Sequence, residues 1–245
     1  MTGDASGGGA GGETGGHEIG RTLLPETVKH YLETIFYIEH EGERVRPGRI
    51  AEWMGLTAPT VSITLRRLRE SGWIEVASDR TVKLSSKGET LAQGVVRVHR
   101  LLERWLTDVL GFDWAAADEH AQAIAPSISD AVAERLDAHL GFPTTCPHGN
   151  VIPGRTVPYG PLRALSDLPP GASGRVCRIS EVAEHDAPEL LQQLDRLGLV
   201  MGVDVKVTTA GADAGTITVE VDGHDAALGT SMARFIWIAP SSPAA

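Results

Sequence analysis

The 245-residue chain is poor in cysteine and aromatic side chains, and it has no run of about 18 apolar residues such as a bilayer span requires. Its two cysteines, Cys146 and Cys177, form neither a CxxC pair nor a disulfide framework, so reduced thiols and a soluble cytoplasmic protein are expected. The start, MTGDASGGGAGGETGG, has neither the basic end nor the apolar centre of a signal peptide. Basic charge is also short: 22 Lys and Arg against 32 Asp and Glu give a net charge of −10. That balance excludes indiscriminate polyanion binding and leaves room for a local basic face. No nucleophile–base constellation, glycine-rich phosphate loop or dedicated substrate domain is present, so the chain is not read as an enzyme. What it does have is 42% hydrophobic residues, enough for packed cores.

Composition divides the chain. Residues 1–20 hold nine glycines and almost no large apolar side chain, the pattern of a disordered tail. Residues 141–173 hold seven of the fourteen prolines and read as an extended linker packed partly on its neighbours. The expected units are therefore 21–86, 87–140 and, beyond the linker, 174–240.

In the first unit, Pro25 opens a helix bearing Tyr31, Leu32, Ile35 and Phe36 at mostly helical spacing. A short helix in RPGRIAEWMG stops at Gly55, and a second in TAPTVSITLRRLRESG takes Thr57 as its cap and ends at Gly72. WIEVASDRTVKLS then reads as a hairpin around Ser78-Asp79-Arg80. Helix, short helix, turn, helix and hairpin is the order of a winged helix-turn-helix. Residues 44–69 carry six arginines, among them Arg46, Arg49 and Arg66, against the single acid Glu52. Such a local reversal of charge is the footprint of a DNA surface, although a solvated helix face has the same composition. Pro59, Thr60 and Ser62 begin the helix that enters a major groove in this motif, and Arg80 at the hairpin tip reaches a flanking phosphate.

The second unit opens with a long helix, KGETLAQGVVRVHRLLERWLTDVLG, whose His99 and Glu103 project from one side a turn apart. One imidazole and one carboxylate at this spacing either share a divalent ion or form an ordinary helix-surface pair. His30 and Glu33 make a similar i, i+3 pair on the first helix. Cys146 and His148 supply two ligands from the linker, too few for a closed metal site, and are read as packed linker. The third unit contains β-prone runs in GRVCRIS, DVKVTTA, GTITVEVDG and ARFIWIA, with a helical insert after the first. A small barrel-like β domain is expected.

These residues carry a family likeness. YLETIFYIEHEG, IAEWMGLTAPTVSITLRRLRESGWIEVASDRTVKLSSKGETLA, VHRLLERWLTDVLG, SISDAVAERLDAHLGFP and PHGNVIPG resemble the diphtheria-toxin-repressor family of bacterial iron- or manganese-dependent transcriptional repressors. LGLVMGVDVKV and DAALGTSMARFIWI resemble the SH3-like domain of ferrous-iron transport accessory proteins. The resemblance implies a mainly α fold with small β parts: a winged helix-turn-helix, a helical dimerisation domain and a C-terminal SH3-like β-barrel. It implies a homodimer on palindromic operator DNA, with Mn(II) or Fe(II) tying the first helix to the dimerisation helices.

Carried over by position, His99 and Glu103 fall on a ligand histidine and a ligand glutamate. Asp118 falls where a ligand histidine is usual, His30 on a methionine or aspartate ligand, and Glu33 on a glutamate ligand of manganese-type members. Asp186 and Glu189 lie in the region where the SH3-like domain completes a site. The chain departs from the family at Gln122, Ala125 and Pro126, where Cys or Glu, then Glu-His, are expected; only Gln122 retains any ligand character. Helix geometry puts Asp118, Gln122 and Ala125 on one face, while His120 points about 160° and Glu119 about 60° from the Gln122 direction. The expectation is a DNA-binding regulator of metal homeostasis, a repressor, with an altered metal site. The alternative is a regulator of the same fold that is constitutive or answers to another ligand or partner.

Overall fold

The computed structural model describes residues 24–186, 188–211 and 215–241, apart from the side chains of 184–186, 188 and 211. The tail expected at 1–20 lies outside the described residues.

Helix α1 (Glu26–His40) buries Tyr31, Leu32, Ile35, Phe36 and Ile38, and α2 (Pro47–Trp53) and α3 (Ala58–Glu70) pack beneath it. Removal of each large apolar side chain from water contributes about 1.5–3 kcal/mol, so this stripe fixes which face of α3 is left outward. Val61, Leu65 and Leu68 point in, and Thr57 Oγ1 accepts from the Thr60 N–H at the helix start. Gly72 ends α3 at φ +74°, a left-handed angle that favours glycine. Strands β1 (Ile74–Val76) and β2 (Val82–Leu84) form the wing, antiparallel with Ile74 opposite Leu84. Arg80 turns its tip at φ +65°, and Asp79 Oδ1 accepts from the Thr81 N–H.

Ser85 caps the long α4 (Ser86–Asp108), and Asp113 caps α5 (Trp114–Ile124). A 3₁₀ turn at Ala125–Ser127 closes α5, and α6 (Asp130–His139) follows with Ser129 as its cap. Val98, Leu102 and Leu106 of α4 pack on Ala117, Ala121 and Ala133, small side chains that bring the helices close.

The proline-rich segment folds back onto its neighbours. Its Cys146 N–H donates to the Asn150 carbonyl, and its His148 carbonyl accepts from the Ile179 N–H of β4 (Ser173–Ile179) at 2.8 Å. β3 (Arg163–Ala164) also comes from this segment and pairs with the last strand. Helices α7 (Glu181–Asp186) and α8 (Pro188–Arg196) form the expected insert, followed by β5 (Asp204–Gly211), β6 (Thr216–Val221), β7 (His224–Gly229), the short α9 (Thr230–Ala233) and β8 (Ile236–Pro240). The sheet order is β3-β8-β4-β5-β6-β7, antiparallel throughout. Strand β7, HDAALG, has no β-branched residue to announce it; it forms because Asp222-Gly223 reverses the chain and sets Ala226 and Leu228 into the core.

Polar contacts tie this domain to the others. Glu41, just past α1, accepts from Arg178 Nη1 at 2.6 Å, from Ser180 Oγ at 2.9 Å and from the Glu181 N–H at 3.1 Å. Arg100 of α4 donates to Glu181 Oε1 through Nε and Nη2, and to the Val151 carbonyl. The SH3-like domain is thereby held against both the end of α1 and the long α4.

Candidate metal centre and operator face

Three segments converge on Glu103. His99 and Glu103 stand one turn apart on α4, with Asp118 of α5 facing them. The folded-back linker brings Cys146 and His148 from the other side. His99 Nε2 lies 3.2 Å from Asp118 Oδ1 and 3.8 Å from Glu103 Oε2. Glu103 Oε1 lies 3.0 Å from His148 Nδ1, and Cys146 Sγ is 3.8 Å from the same nitrogen. Two sets of donor atoms result, His99–Glu103–Asp118 and Glu103–Cys146–His148, each within 4.8 Å of one another and joined by the shared carboxylate.

His99, Glu103, Cys146 and His148 are buried, and Asp118 is partly exposed. The edge of the Trp114 ring covers His148, with centroids 5.2 Å apart. His99 Nδ1 is buried without a hydrogen-bond partner, 3.9 Å from Glu33 Oε1, and Glu103 Oε1 faces the His148 imidazole. Clustered carboxylates are costly away from water, and a cation at the junction offsets their charge. Imidazole with two carboxylates suits Mn(II), Fe(II) or Zn(II), while the thiol and imidazole of the second set add softer donors. The residues present therefore fit a first-row divalent ion.

Electrostatics agree. Burial opposes a charge on His99, but its hydrogen bond to Asp118 and the carboxylates of Glu103, Asp118 and Glu33 outweigh it, raising the imidazole to about 10. In the ion-free protein His99 therefore carries a proton at neutral pH, and an arriving cation must displace it. The apparent metal affinity is expected to rise about tenfold per pH unit through the neutral range, the linkage of one proton, and to level off as pH passes about 10. Competition with a metal-binding dye at a series of pH values reads this directly. An affinity independent of pH would contradict it.

The other carried-over positions separate. Glu33 is buried, accepts from Tyr37 Oη at 3.1 Å and lies 3.9 Å from His99 Nδ1. His30 and Gln122 are exposed and line a cavity of about 240 Å³ with Glu33, His99 and Asp118. Glu189 is exposed in the first turn of α8 and joins neither donor set, and the Asp186 side chain lies outside the described residues. The carboxylate of this domain that does line the cavity is Glu181. Cys146 and His148 are buried in a packed linker, as expected, and they also gain a third donor. The sequence offers only two ligands in the linker; the structure supplies Glu103 as the third. Their local signal is Cys-Pro-His followed by Gly149, at φ +84°, where an added Cβ would run into the Cys177 carbonyl. That close approach presses the loop against β4 and so sets His148 in place.

On the opposite face, Arg46, Pro59, Thr60, Ser62, Arg66 and Arg80 are all exposed. They lie on the outward side of α3, the start of α2 and the wing tip. Arg49 differs: its side chain is 14% exposed, pairs with Glu43 at 2.9 Å and Glu52 at 3.5 Å, and lies over the Trp53 ring. It buttresses α2 more than it faces solvent.

The fold and site together define a winged-helix protein whose long second-unit helix carries a junction of donor atoms that could hold a divalent ion, with an SH3-like domain packed beside it. Family models agree segment by segment. The iron-dependent repressor N-terminal DNA-binding domain matches residues 24–82, the iron-dependent repressor metal-binding and dimerisation domain matches 85–154, and the FeoA domain matches 163–240. The iron-dependent repressor IdeR of Mycobacterium tuberculosis is 36% identical over 213 residues, covering 82% of this chain and 91% of that protein. The diphtheria toxin repressor of Corynebacterium diphtheriae is 33% identical over 226 residues, covering 88% and 97%. A solved manganese-dependent transcriptional repressor, in complex with manganese, superposes with a TM-score of 0.79 at 32% identity, over 87% of this chain and 100% of that one. The chain belongs to the iron-dependent, or diphtheria-toxin, repressor family.

Proposed function

We propose that this protein is a dimeric, metal-responsive transcriptional repressor that grips a palindromic operator and controls metal homeostasis. The observation that carries the reading is the buried Glu103 carboxylate shared by two donor sets at the meeting point of α4, α5 and the linker. A divalent ion bound there neutralises the clustered carboxylates and cross-links the three segments. Glu33 and Tyr37, on α1 beside His99, connect the same junction to the DNA-binding unit. An ion favours the operator-binding arrangement to the extent that these residues hold it better in that arrangement than in others. Dimerisation is supported by the exposed apolar side chains Val109, Leu110, Ile124 and Val132 around the second unit. Two α3 helices related by a two-fold axis then read two half-sites, with Thr60 and Ser62 at base edges or phosphates and Arg46, Arg66 and Arg80 on the backbone. Among the described residues no helix is long and apolar enough to cross a membrane.

The test is operator selection from random DNA with Mn(II), Fe(II) or chelator in parallel. The expected result is an inverted repeat enriched with Mn(II) or Fe(II) and weakly or not at all with chelator. Equal enrichment in all three would remove metal response from the reading, and no enrichment in any would remove DNA binding.

A further inference from the structure

A second cleft, of about 380 Å³, lies between α1 and the end of α5, lined by Lys29, His30, Glu33, Gln122, Ala125 and Pro126 among others. The resemblance expects a transition-metal ion to tie these two elements together here. The side chains do not fit one. Ala125 and Pro126 offer no side-chain donor, Gln122 offers a neutral amide and Glu26 is paired with Lys29, which leaves His30 and Glu33, too few for a closed site. Neither donor set of three found among the described residues is in this cleft.

A cation is nevertheless present. Lys29 is 4% exposed, and lysine is almost never buried to that degree without a partner. Its Nζ lies 2.9 Å from Glu26 Oε1 and donates to the Pro126 carbonyl at 3.3 Å, across 97 residues of sequence. The acceptor is well placed. Carbonyls at a helix C-terminus lack intrahelical donors and sit at the negative end of the dipole, where a positive charge is favoured. Pro126 lies in the 3₁₀ turn that ends α5.

We propose that the Lys29 ammonium is a built-in cation that ties α1 to the 125–127 turn in place of a metal ion, positioning the DNA-binding unit without metal at this cleft. It makes Lys29 a positioning residue for operator binding, and divalent-ion response is left to the Glu103 junction. The inference rests on the operator-binding reading only for its DNA readout.

The full-length chain is compared with Lys29→Met, which keeps length and loses charge, and with Lys29→Arg, which keeps charge. In chelator, Lys29→Met is expected to bind the selected operator about tenfold more weakly, the size of one lost charge-assisted hydrogen bond. Lys29→Arg is expected to recover most of that loss, and propylammonium chloride to recover part of it in Lys29→Ala. Manganese stoichiometry stays unchanged in Lys29→Met. Hydrogen exchange of the Ser127 and Ile128 amides is expected to quicken in Lys29→Met and not in Lys29→Arg; this readout needs no DNA, so it decides the tie even where operator binding itself fails. Unchanged exchange and affinity in Lys29→Met, or a loss equal in Met and Arg, would overturn the proposal, as would a fall in manganese stoichiometry. Where Lys29→Met does not fold, Glu26→Gln at an exposed position is read instead. Faster exchange at Ser127 and Ile128 is then expected, and none overturns it.

Discussion

Replacing Glu103 with glutamine is expected to abolish the strengthening of operator binding by Mn(II) and to weaken metal binding about a hundredfold or more, because an amide is a poor neutral ligand for hard divalent ions. The effect is the largest available at the site, since this one carboxylate belongs to both donor sets. His99→Gln is expected to do less, leaving Glu103, Cys146 and His148 together. Glu103→Gln also removes a carboxylate that holds the His99 proton, so the ion-free imidazole titrates lower than about 10 in that variant. Calorimetry with Mn(II), paired with operator anisotropy, separates lost binding from lost coupling. Wild-type metal affinity in Glu103→Gln would show that the junction is not where the ion is held.

Replacing Arg100 with methionine is expected to cost about 3–5 kcal/mol of stability, the usual consequence of removing one member of a buried ion pair. Against a typical total of about 5–15 kcal/mol this is a large fraction. Arg100 and Glu181 are both buried, and the guanidinium donates twice to Glu181 Oε1 while also reaching the Val151 carbonyl. Without it, the Glu181 carboxylate is left among low-dielectric neighbours, with Glu103 adding like charge. Burial already raises the Glu181 carboxyl above its ordinary value, and Arg100 is the largest influence lowering it. Its loss pushes the carboxyl higher still. A group raised on folding contributes stability when protonated and loses it as pH rises through the folded value. The deficit of Arg100→Met therefore grows from acid toward neutral pH. Urea unfolding at several pH values measures both the size and the slope. A deficit below about 1 kcal/mol, the scale of exposed pairs, would contradict the reading of this contact as a buried interdomain tie.

Much of the architecture was legible because it is written locally. The caps at Thr57 and Ser129, the stop at Gly72 and the stripe of Val61, Leu65 and Leu68 are decided by a few neighbouring residues. The same holds for one wall of the candidate metal centre, where His99 and Glu103 share a helix side by periodicity alone. Asp118 came from helix geometry and family position together, and it lies 3.2 Å from His99. Non-local contacts were not legible. Cys146 and His148 reach Glu103 because the linker is pinned to β4 through His148, Gly149 and Asn150, whose partners Cys177 and Ile179 lie far away in sequence. Glu181 enters through the same docking, and Lys29 meets Pro126 through helix packing. Strand β7 lacks β-prone residues and depends on β6 for its pairing.

The proposed regulator thus pairs an exposed arginine-bearing face with a candidate ion junction that is remote from it in sequence and adjoins α1 through Glu33. A Co(II) titration followed by absorbance tests the junction most directly, because a thiolate ligand gives an intense near-ultraviolet charge-transfer band that oxygen and nitrogen donors do not. Saturable binding with such a band, lost in Cys146→Ser and in Glu103→Gln, is the result expected of a site built by Glu103, Cys146 and His148. Saturable Co(II) binding with no thiolate band, or no saturable binding at all, would contradict it.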